Sequence, residues 1–493
     1  MATSDKNGHI AIIGTGFSGL CMAIALKKKG IHDFTLFERA DDVGGTWRDN
    51  TYPGAACDVP SVLYSFSFAQ NPHWTRVFPP WSELHTYLRS VAERFDIMRH
   101  IRFGAEVSEM RFDERTLRWA LQLTSGESVD VSVVVNGSGG LSRPFVPRLA
   151  GLESFEGTAF HSAQWRHDHD LEGRRVAVIG SGASAIQFVP EIASRTDTLY
   201  VFQRTPHWIM PRGDAPLPRP TRAAFARNPL RQRIQRWKTY WQFESLAWAF
   251  LGNRRMIERY RASALEYLSE QVPDPKLRAE VTPDYAPGCK RRLVSDEWYP
   301  TLQRDNVHLV TQGITEIRPR SVVTSDGTEH EVDTIVFATG FTATSFLAPM
   351  KVFGRGGTEL LDAWKHGAET KLGIATSGFP NFYFLNGPNT GLGHNSIVFM
   401  IEAQARYIAS AISRIREAGV EAADLDRRIQ ARNYASTQKR MRRTVWASGG
   451  CTSWYQSADG RIDTLWPATT VEYWLRTKFF RMSDYNRLTT QKG

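Results

Sequence analysis

The sequence predicts an α/β fold made of two doubly wound domains, one inserted in the other, with a helical insertion carried by the inner one. Three observations predict it. A short apolar run, a glycine-rich turn and a helical stretch follow one another near the amino terminus; the same succession recurs from residue 175; and strand-like runs return at 133–140 and 334–337. A chain of 493 residues is also too long for one compact core.

Residues 9–13 form an apolar run read as a buried parallel strand. It ends in Gly14-Thr15-Gly16-Phe17-Ser18-Gly19 and passes into the helical LCMAIALKKKG. Gly14, Gly16 and Gly19 let backbone approach a pyrophosphate, while the helix amino terminus offers unpaired N–H groups and the positive end of its dipole. Lys27, Lys28 and Lys29 complement the opposite end before Gly30 stops the helix. The next strand, 34–37, delivers Glu38, an acid placed to accept hydrogen bonds from ribose hydroxyls.

The second unit runs from 175–179 through Gly180-Ser181-Gly182-Ala183-Ser184-Ala185 and a helix to a strand at 199–202. Glu38 lies 24 positions after Gly14, and Arg204 lies 24 positions after Gly180, so equivalent places carry opposite charge. An acid suits a free ribose diol and repels a 2′-phosphate, whereas Arg204, with Thr205 beside it, neutralises one. The first Rossmann-like dinucleotide-binding domain is therefore expected to take FAD and the second NADPH. The strand at 334–337 runs into Ala338-Thr339-Gly340 and returns the chain from the inner domain. This divides the chain into residues 1–148 (FAD-binding, first part), 149–211 (NADPH-binding, first part), 212–287 (helical insertion), 288–345 (NADPH-binding, second part) and 346–493 (FAD-binding, second part).

Bulk properties narrow the function. Apolar residues make up 42% and charged residues 23%, which excludes a disordered or fibrous chain. The amino terminus carries Asp5, Lys6 and Asn7 with no apolar region ahead of a cleavage site, so a cytoplasmic location is expected. The most apolar stretch, 10–26, is cut by Gly14, Thr15, Gly16, Ser18 and Gly19, which predicts no transmembrane segment. Cys21, Cys57, Cys289 and Cys451 contain no C-x-x-C pair and read as reduced thiols. The net charge of +10 is assigned to cofactor phosphates and not to nucleic acid. His167 and His169, flanked by Asp168 and Asp170, read as a solvated loop, and no metal is expected. In the insertion, Leu230, Ile234, Trp237, Trp241 and Trp248 recur at helical spacing among arginines. That stripe is expected to pack over the nicotinamide domain, with a membrane surface as the alternative.

Gly44-Gly45-Thr46-Trp47, then Tyr52-Pro53-Gly54, then Asp58 is where the pattern becomes specific. The chain here resembles the type I Baeyer–Villiger monooxygenases, a class B flavoprotein monooxygenase family. The family's second signature is met by Phe155, Gly157, His161 and Trp165, but Arg166 follows where Pro or Asp is usual. A basic residue there is typical of related flavin monooxygenases that oxidise nitrogen and sulfur, so heteroatom oxidation stays open as the alternative. A non-catalytic flavin and nucleotide redox sensor is the second alternative. Further matches are FQRTPHW at 202–208, CKR at 289–291, RDNVHL at 304–309, ATGF at 338–341 and CTSWY at 451–455.

The resemblance implies an enzyme that uses FAD, NADPH and O₂ to convert a small-molecule ketone to an ester or lactone through a flavin C4a-peroxide, with sulfoxidation as a side activity. It assigns the catalytic positive charge to Arg291, oriented by Asp58; an arginine stays ionised when partly dehydrated. Lys290 would join Arg204 on the 2′-phosphate. Gly45, Thr46, Trp47 and Tyr64 would lie at the flavin. His161 and Trp165 would couple the domains. The natural ketone and the oligomeric state are not legible.

Overall fold

Ile10–Ile13 is buried throughout and Arg175–Ile179 everywhere but at its first residue, so each must lie in a sheet covered on both faces. The computed structural model, which describes residues 8–342, 347, 349–457 and 459–490, places each at the centre of a five-stranded parallel sheet. The residues Asp5, Lys6 and Asn7 and the boundary drawn at 345/346 lie outside the described residues.

The first sheet runs in the order Phe382–Phe384, Val133–Asn136, Ile10–Ile13, Phe34–Phe37, Ile101–Arg102. The second runs Val307–Val310, Thr198–Phe202, Arg175–Ile179, Thr334–Phe337, Thr158–His161. Ile13 is in register with Phe37 as Ile179 is with Phe202, so in each sheet the glycine turn and the segment that leads to Glu38 or Arg204 leave from the same carboxyl edge. Each domain also carries an antiparallel meander: Val107–Asp113, Arg118–Leu123 and Ser128–Val131 in the first, Ile314–Arg318, Ser321–Thr324 and Glu329–Glu331 in the second. The two chain crossings between the domains run side by side. Phe145 N donates to Gly340 O at 2.9 Å, and Thr342 N to Arg143 O at 3.1 Å.

The domains meet elsewhere through the Tyr52-Pro53-Gly54 turn. Tyr52 Oη donates to Gln187 Oε1 at 2.9 Å, and Gln187 Nε2 returns a bond to Ala56 O at 2.9 Å. Gln187 belongs to the helix Ala185–Ile192 that opens behind the second glycine turn. The backbone at Gly54 comes so close that an added Cβ would lie 2.6 Å from Gln187 O, at a φ of +73°. Glycine is demanded there twice over.

Two expectations are corrected. The insertion is helical, in segments Arg219–Arg227, Pro229–Ser245, Ala247–Phe250, Arg254–Gln271 and Pro275–Glu280. Its apolar stripe does not pack over the nicotinamide domain: Leu230, Ile234, Trp237, Trp241 and Trp248 are all exposed. Helix Pro229–Ser245 instead turns its polar side inward onto the flavin domain, with Gln232 Nε2 donating to Asn71 O (2.6 Å) and Arg236 Nη1 to the carbonyls of Val62 (2.8 Å), Leu63 (3.1 Å) and Ser65 (3.0 Å). Carbonyls left without partners by an irregular loop attract donors more strongly than apolar side chains do. Helix Arg254–Gln271 is the one that packs on the nicotinamide domain, burying Leu268 against Trp298 and Tyr299. Second, the cysteines are not all reduced. Cys289 and Cys451 are joined in a disulfide, while Cys21 and Cys57 are free and buried. A sequence separation of 162 gives no hint of that proximity.

Gly54→Ala is expected to lower the unfolding midpoint clearly more than Gly173→Ala. Both positions have positive φ, but nothing lies within 4 Å of a Cβ at Gly173. The control should show only the backbone cost of about 1 kcal/mol. Equal losses in a thermal melt would show that the close approach to Gln187 is not what demands glycine.

Candidate active site

The first cradle is shaped by glycines that no other residue replaces. A Cβ at Gly19 would lie 1.9 Å from Gly14 O, and Gly14 itself has φ of +90°. Gly16 faces Gly45, whose own Cβ would stand 3.2 Å from the Gly16 Cα. Glu38 is buried beside this turn. Its carboxylate accepts from Thr15 N (3.0 Å), Thr15 Oγ1 (2.7 Å) and Ala40 N (3.1 Å), and Arg48 pairs with it at 3.0 Å. Burial opposes the Arg48 charge, but Asp49 and Glu38 overcome it and hold its pKa above the ordinary value. Sequence reading passed over Arg48, although it directly follows Trp47. Thr46 opens the short helix Thr46–Asp49, and Trp47 meets Tyr64 edge to face at 5.6 Å.

The second cradle repeats the design. Gly180 has φ of +112° and an added Cβ would strike Ala338 O at 2.5 Å, whereas Gly182 opens onto free space. Ala183 is exposed, Ser184 stands just before the helix Ala185–Ile192 without a side-chain capping bond, and Ala185 is buried at its first turn. Arg204 is exposed and Thr205 half-buried just beyond the strand Thr198–Phe202. Burial and the neighbouring Arg204 charge both depress the Lys290 pKa, so the two cations converge across 86 residues of sequence. Next to them His207 is pushed down to about 4 by burial and by Lys290. Asp284 offsets part of that repulsion at Lys290, and two cations brought this close favour an anion between them. His207 was missed although it lies inside the FQRTPHW match.

Arg291 and Asp58, 233 residues apart, form a two-pronged pair. Nε donates to Oδ2 at 2.9 Å, and Nη2 to Oδ1 at 2.8 Å and Oδ2 at 2.6 Å. The Asp58 charge raises the Arg291 pKa above its ordinary value against the opposing effect of burial. Nη1 takes no part in the pair. The two residues line a cavity with Arg292, Phe243, His394 and Asn395, and 38% of the Arg291 side-chain surface remains accessible. Tyr455 lies close behind, its hydroxyl pushed up to about 12 by burial despite the Arg291 charge. The Cys289–Cys451 disulfide ties the segment of Arg291 to that of Tyr455.

His394 and Asn395 of this wall, and Glu244, which bonds Asn395, escaped the sequence reading. Glu244, from the insertion, accepts from Asn395 Nδ2 (2.7 Å), Thr470 N (2.7 Å) and Thr470 Oγ1 (2.7 Å), and stands 3.6 Å from His394 Nε2. Burial opposes its charge, yet His394, Thr470 and Asn395 hold its carboxyl down to about 2. No local pattern marks Glu244, His394 or Asn395; only the fold assembles them.

His161 is buried at the end of the strand Thr158–His161. Its Nδ1 accepts from Ala163 N at 3.0 Å, its ring meets Phe341 at 5.7 Å, and burial lowers its pKa. It therefore lies beside the chain crossings and away from Arg291's pair. Trp165 packs between Phe160 (5.3 Å) and Phe188 (5.3 Å) in the second domain's core. Arg166, the residue that departs from the signature, is at the surface in a two-pronged pair with Asp168 at 2.8 and 2.7 Å. His167 bonds Thr51 and His169 bonds Thr334, each at 2.8 Å. Among the described residues no cluster of three or more His, Cys, Asp or Glu side chains is arranged for a metal ion.

The chain matches the flavin-binding monooxygenase-like family over residues 7–239. It is 45% identical to a Baeyer-Villiger monooxygenase of Pseudomonas aeruginosa, covering 98% of this chain and 92% of that relative, and 45% identical to one of Streptomyces coelicolor, covering 97% and 92%. Among solved structures it is similar to an oxidised steroid monooxygenase bound to NADP, with a TM-score of 0.87 and 30% identity over 98% of this chain and 99% of that one. A closed cyclohexanone monooxygenase gives a TM-score of 0.86 and 27% identity over 96% of both chains. With two glycine cradles, an arginine paired at the wall of a cavity and relatives 45% identical over nearly its whole length, this chain belongs to the Baeyer–Villiger monooxygenase family.

Proposed function

We propose that this chain is an FAD- and NADPH-dependent Baeyer–Villiger monooxygenase that converts ketones to esters or lactones with O₂. The observation that carries the reading is the two-pronged Arg291–Asp58 pair at the wall of a cavity. The cradles suit the two cofactors: crowded glycines and the buried Glu38 fit FAD, and the convergent Arg204, Lys290 and His207 fit the 2′-phosphate of NADPH. Gly45, Thr46, Trp47 and Tyr64 border the flavin in this reading, and Gly180, Gly182, Ala183, Ser184 and Ala185 border the NADPH pyrophosphate, with Thr205 beside its ribose.

Bound FAD accepts hydride from NADPH and activates O₂. The protein's part is electrostatic. As the ketone is attacked, its carbonyl oxygen gains negative charge, and Arg291 holds a permanent positive charge ready for it. Asp58 occupies Nε and Nη2 of Arg291 and so fixes the plane of the guanidinium while leaving Nη1 for the reacting oxygens. An arginine alone in such a cavity would swing toward any carbonyl within reach; the pair stops that. His161 and Trp165 act at the domain junction, where motion couples reduction to oxygenation. Arg166, the feature that favours nitrogen or sulfur oxidation, is paired with Asp168 at the surface, and the 45% identity to two Baeyer-Villiger monooxygenases supports ketone oxidation over that alternative. Among the described residues no helix is long and apolar enough to cross a membrane. The cytoplasm, where NADPH is regenerated, is the compartment this reading calls for, and the Cys289–Cys451 disulfide is the observation that weighs against it.

Arg204→Ala is expected to raise the KM for NADPH about tenfold to a hundredfold and leave that for NADH nearly unchanged, since one charge-assisted contact is lost. A preference for NADH in the unmodified enzyme would refute the assignment of the second cradle. His161→Ala should keep its FAD through purification while ester yield per NADPH consumed falls; release of FAD would move His161 into the flavin site. In Arg291→Ala, NADPH oxidation should continue with H₂O₂ release, and ester formation should fall about a hundredfold or more, with Asp58→Ala shifting the same way to a smaller extent. Full ester yield from Arg291→Ala would sink the mechanism.

A further inference from the structure

Helix Pro229–Ser245 wears its apolar face outward. Leu230, Ile234, Trp237 and Trp241 are 60, 47, 63 and 45% exposed, and Trp248, just past the helix, is 58% exposed. At about 100° per residue, the four helical side chains fall within an arc of about 60°. The Trp237 and Trp241 rings meet edge to face at 6.3 Å, forming one ledge. The opposite side of the helix is already committed to the flavin domain through Gln232 and Arg236. Three exposed indoles in one stripe are not the scattered apolar residues of an ordinary surface.

The charge around the stripe has one sign. Residues 215–257 contain nine Lys or Arg and one acid, Glu244, which is 4% exposed and bonded to Thr470 and Asn395. Arg227, Arg231, Arg233 and Lys238 are exposed, and among the described residues none has an ion-pair partner. Arg233 and Lys238 flank the stripe on its two sides.

We propose that this face docks on an anionic lipid bilayer, the helix lying in the plane of the surface. Indoles favour the boundary between headgroups and acyl chains, where the ring is apolar and the N–H stays wet; the basic rim meets lipid phosphates and anionic headgroups. A second copy of the chain fits poorly, because two such faces would oppose the same unpaired cations. The docking has a use. Phe243, two residues past Trp241 and so on the opposite face of the same helix, lines the Arg291 cavity, so docking brings the helix that walls this cavity to the phase in which apolar ketones dissolve.

The test is sedimentation of the full-length holoenzyme with vesicles of phosphatidylcholine alone and of phosphatidylcholine mixed with phosphatidylglycerol. The protein should pellet with the mixed vesicles and stay in solution with the neutral ones, and added salt should release it. Trp237→Ala/Trp241→Ala and Arg231→Gln/Arg233→Gln/Lys238→Gln should each weaken vesicle binding about tenfold or more while turnover of a water-soluble ketone is unchanged. Absence from the mixed-vesicle pellet, or unchanged binding by the tryptophan variant, would overturn the proposal. So would a fall in solution mass, without vesicles, in the tryptophan variant alone, because the stripe would then be an interface between copies.

Discussion

A guanidinium inside a protein must be paired, and the pairing of Arg291 with Asp58 is the constraint on which the rest of this architecture depends. The two residues come from opposite ends of the interleaved chain: Asp58 follows the flavin-side turn, and Arg291 leaves the inserted helices on the way back into the second sheet. Desolvation alone would depress the charge of Arg291; beside Asp58 its pKa stands above the ordinary value instead. Everything nearby serves to keep these segments abreast. The Cys289–Cys451 disulfide anchors one, Gln187 bonds the turn that leads to the other, and Tyr455 closes the space behind.

The insertion has a double allegiance. Its long helix lies on the flavin domain through carbonyl-seeking Arg236, and its next helix lies on the nicotinamide domain through Leu268. The long helix, Pro229–Ser245, lends Phe243 to the cavity wall, and its Glu244 bonds Asn395 of that wall. An insertion that contacts both domains and the cavity is placed to feel any movement between them. Its exposed Trp241 is two residues from Phe243 of the cavity wall, on the other face of the same helix.

The parts that were legible in the sequence are those whose physics is local. Gly14, Gly19 and Gly180 announce themselves because a turn at positive φ or a backbone contact below 3 Å excludes every other residue, and the paired strands announce themselves by unbroken apolar runs. Glu38 and Arg204 were readable because the strand register, repeated in both domains, puts them at equivalent ends. Arg291 and Asp58 were named through the resemblance of their motifs, and the structure brings them within hydrogen-bond reach. The insertion misled because helical spacing identifies a stripe without saying which way it faces. That choice went to the unsatisfied carbonyls of residues 62–65, which no periodicity records.

By itself, then, the sequence determined the two doubly wound sheets, the sites of their glycine turns and the charge that each presents to a ribose, because those depend on neighbours a few residues apart. Only the tertiary structure decided the Cys289–Cys451 bond, the outward face of Trp237 and Trp241, the approach of Lys290 to His207, and the contacts of Glu244 with His394 and Asn395. Those contacts join residues tens to hundreds of positions apart. Their energies depend on burial and on which polar groups lack partners, and neither quantity exists until the chain has folded.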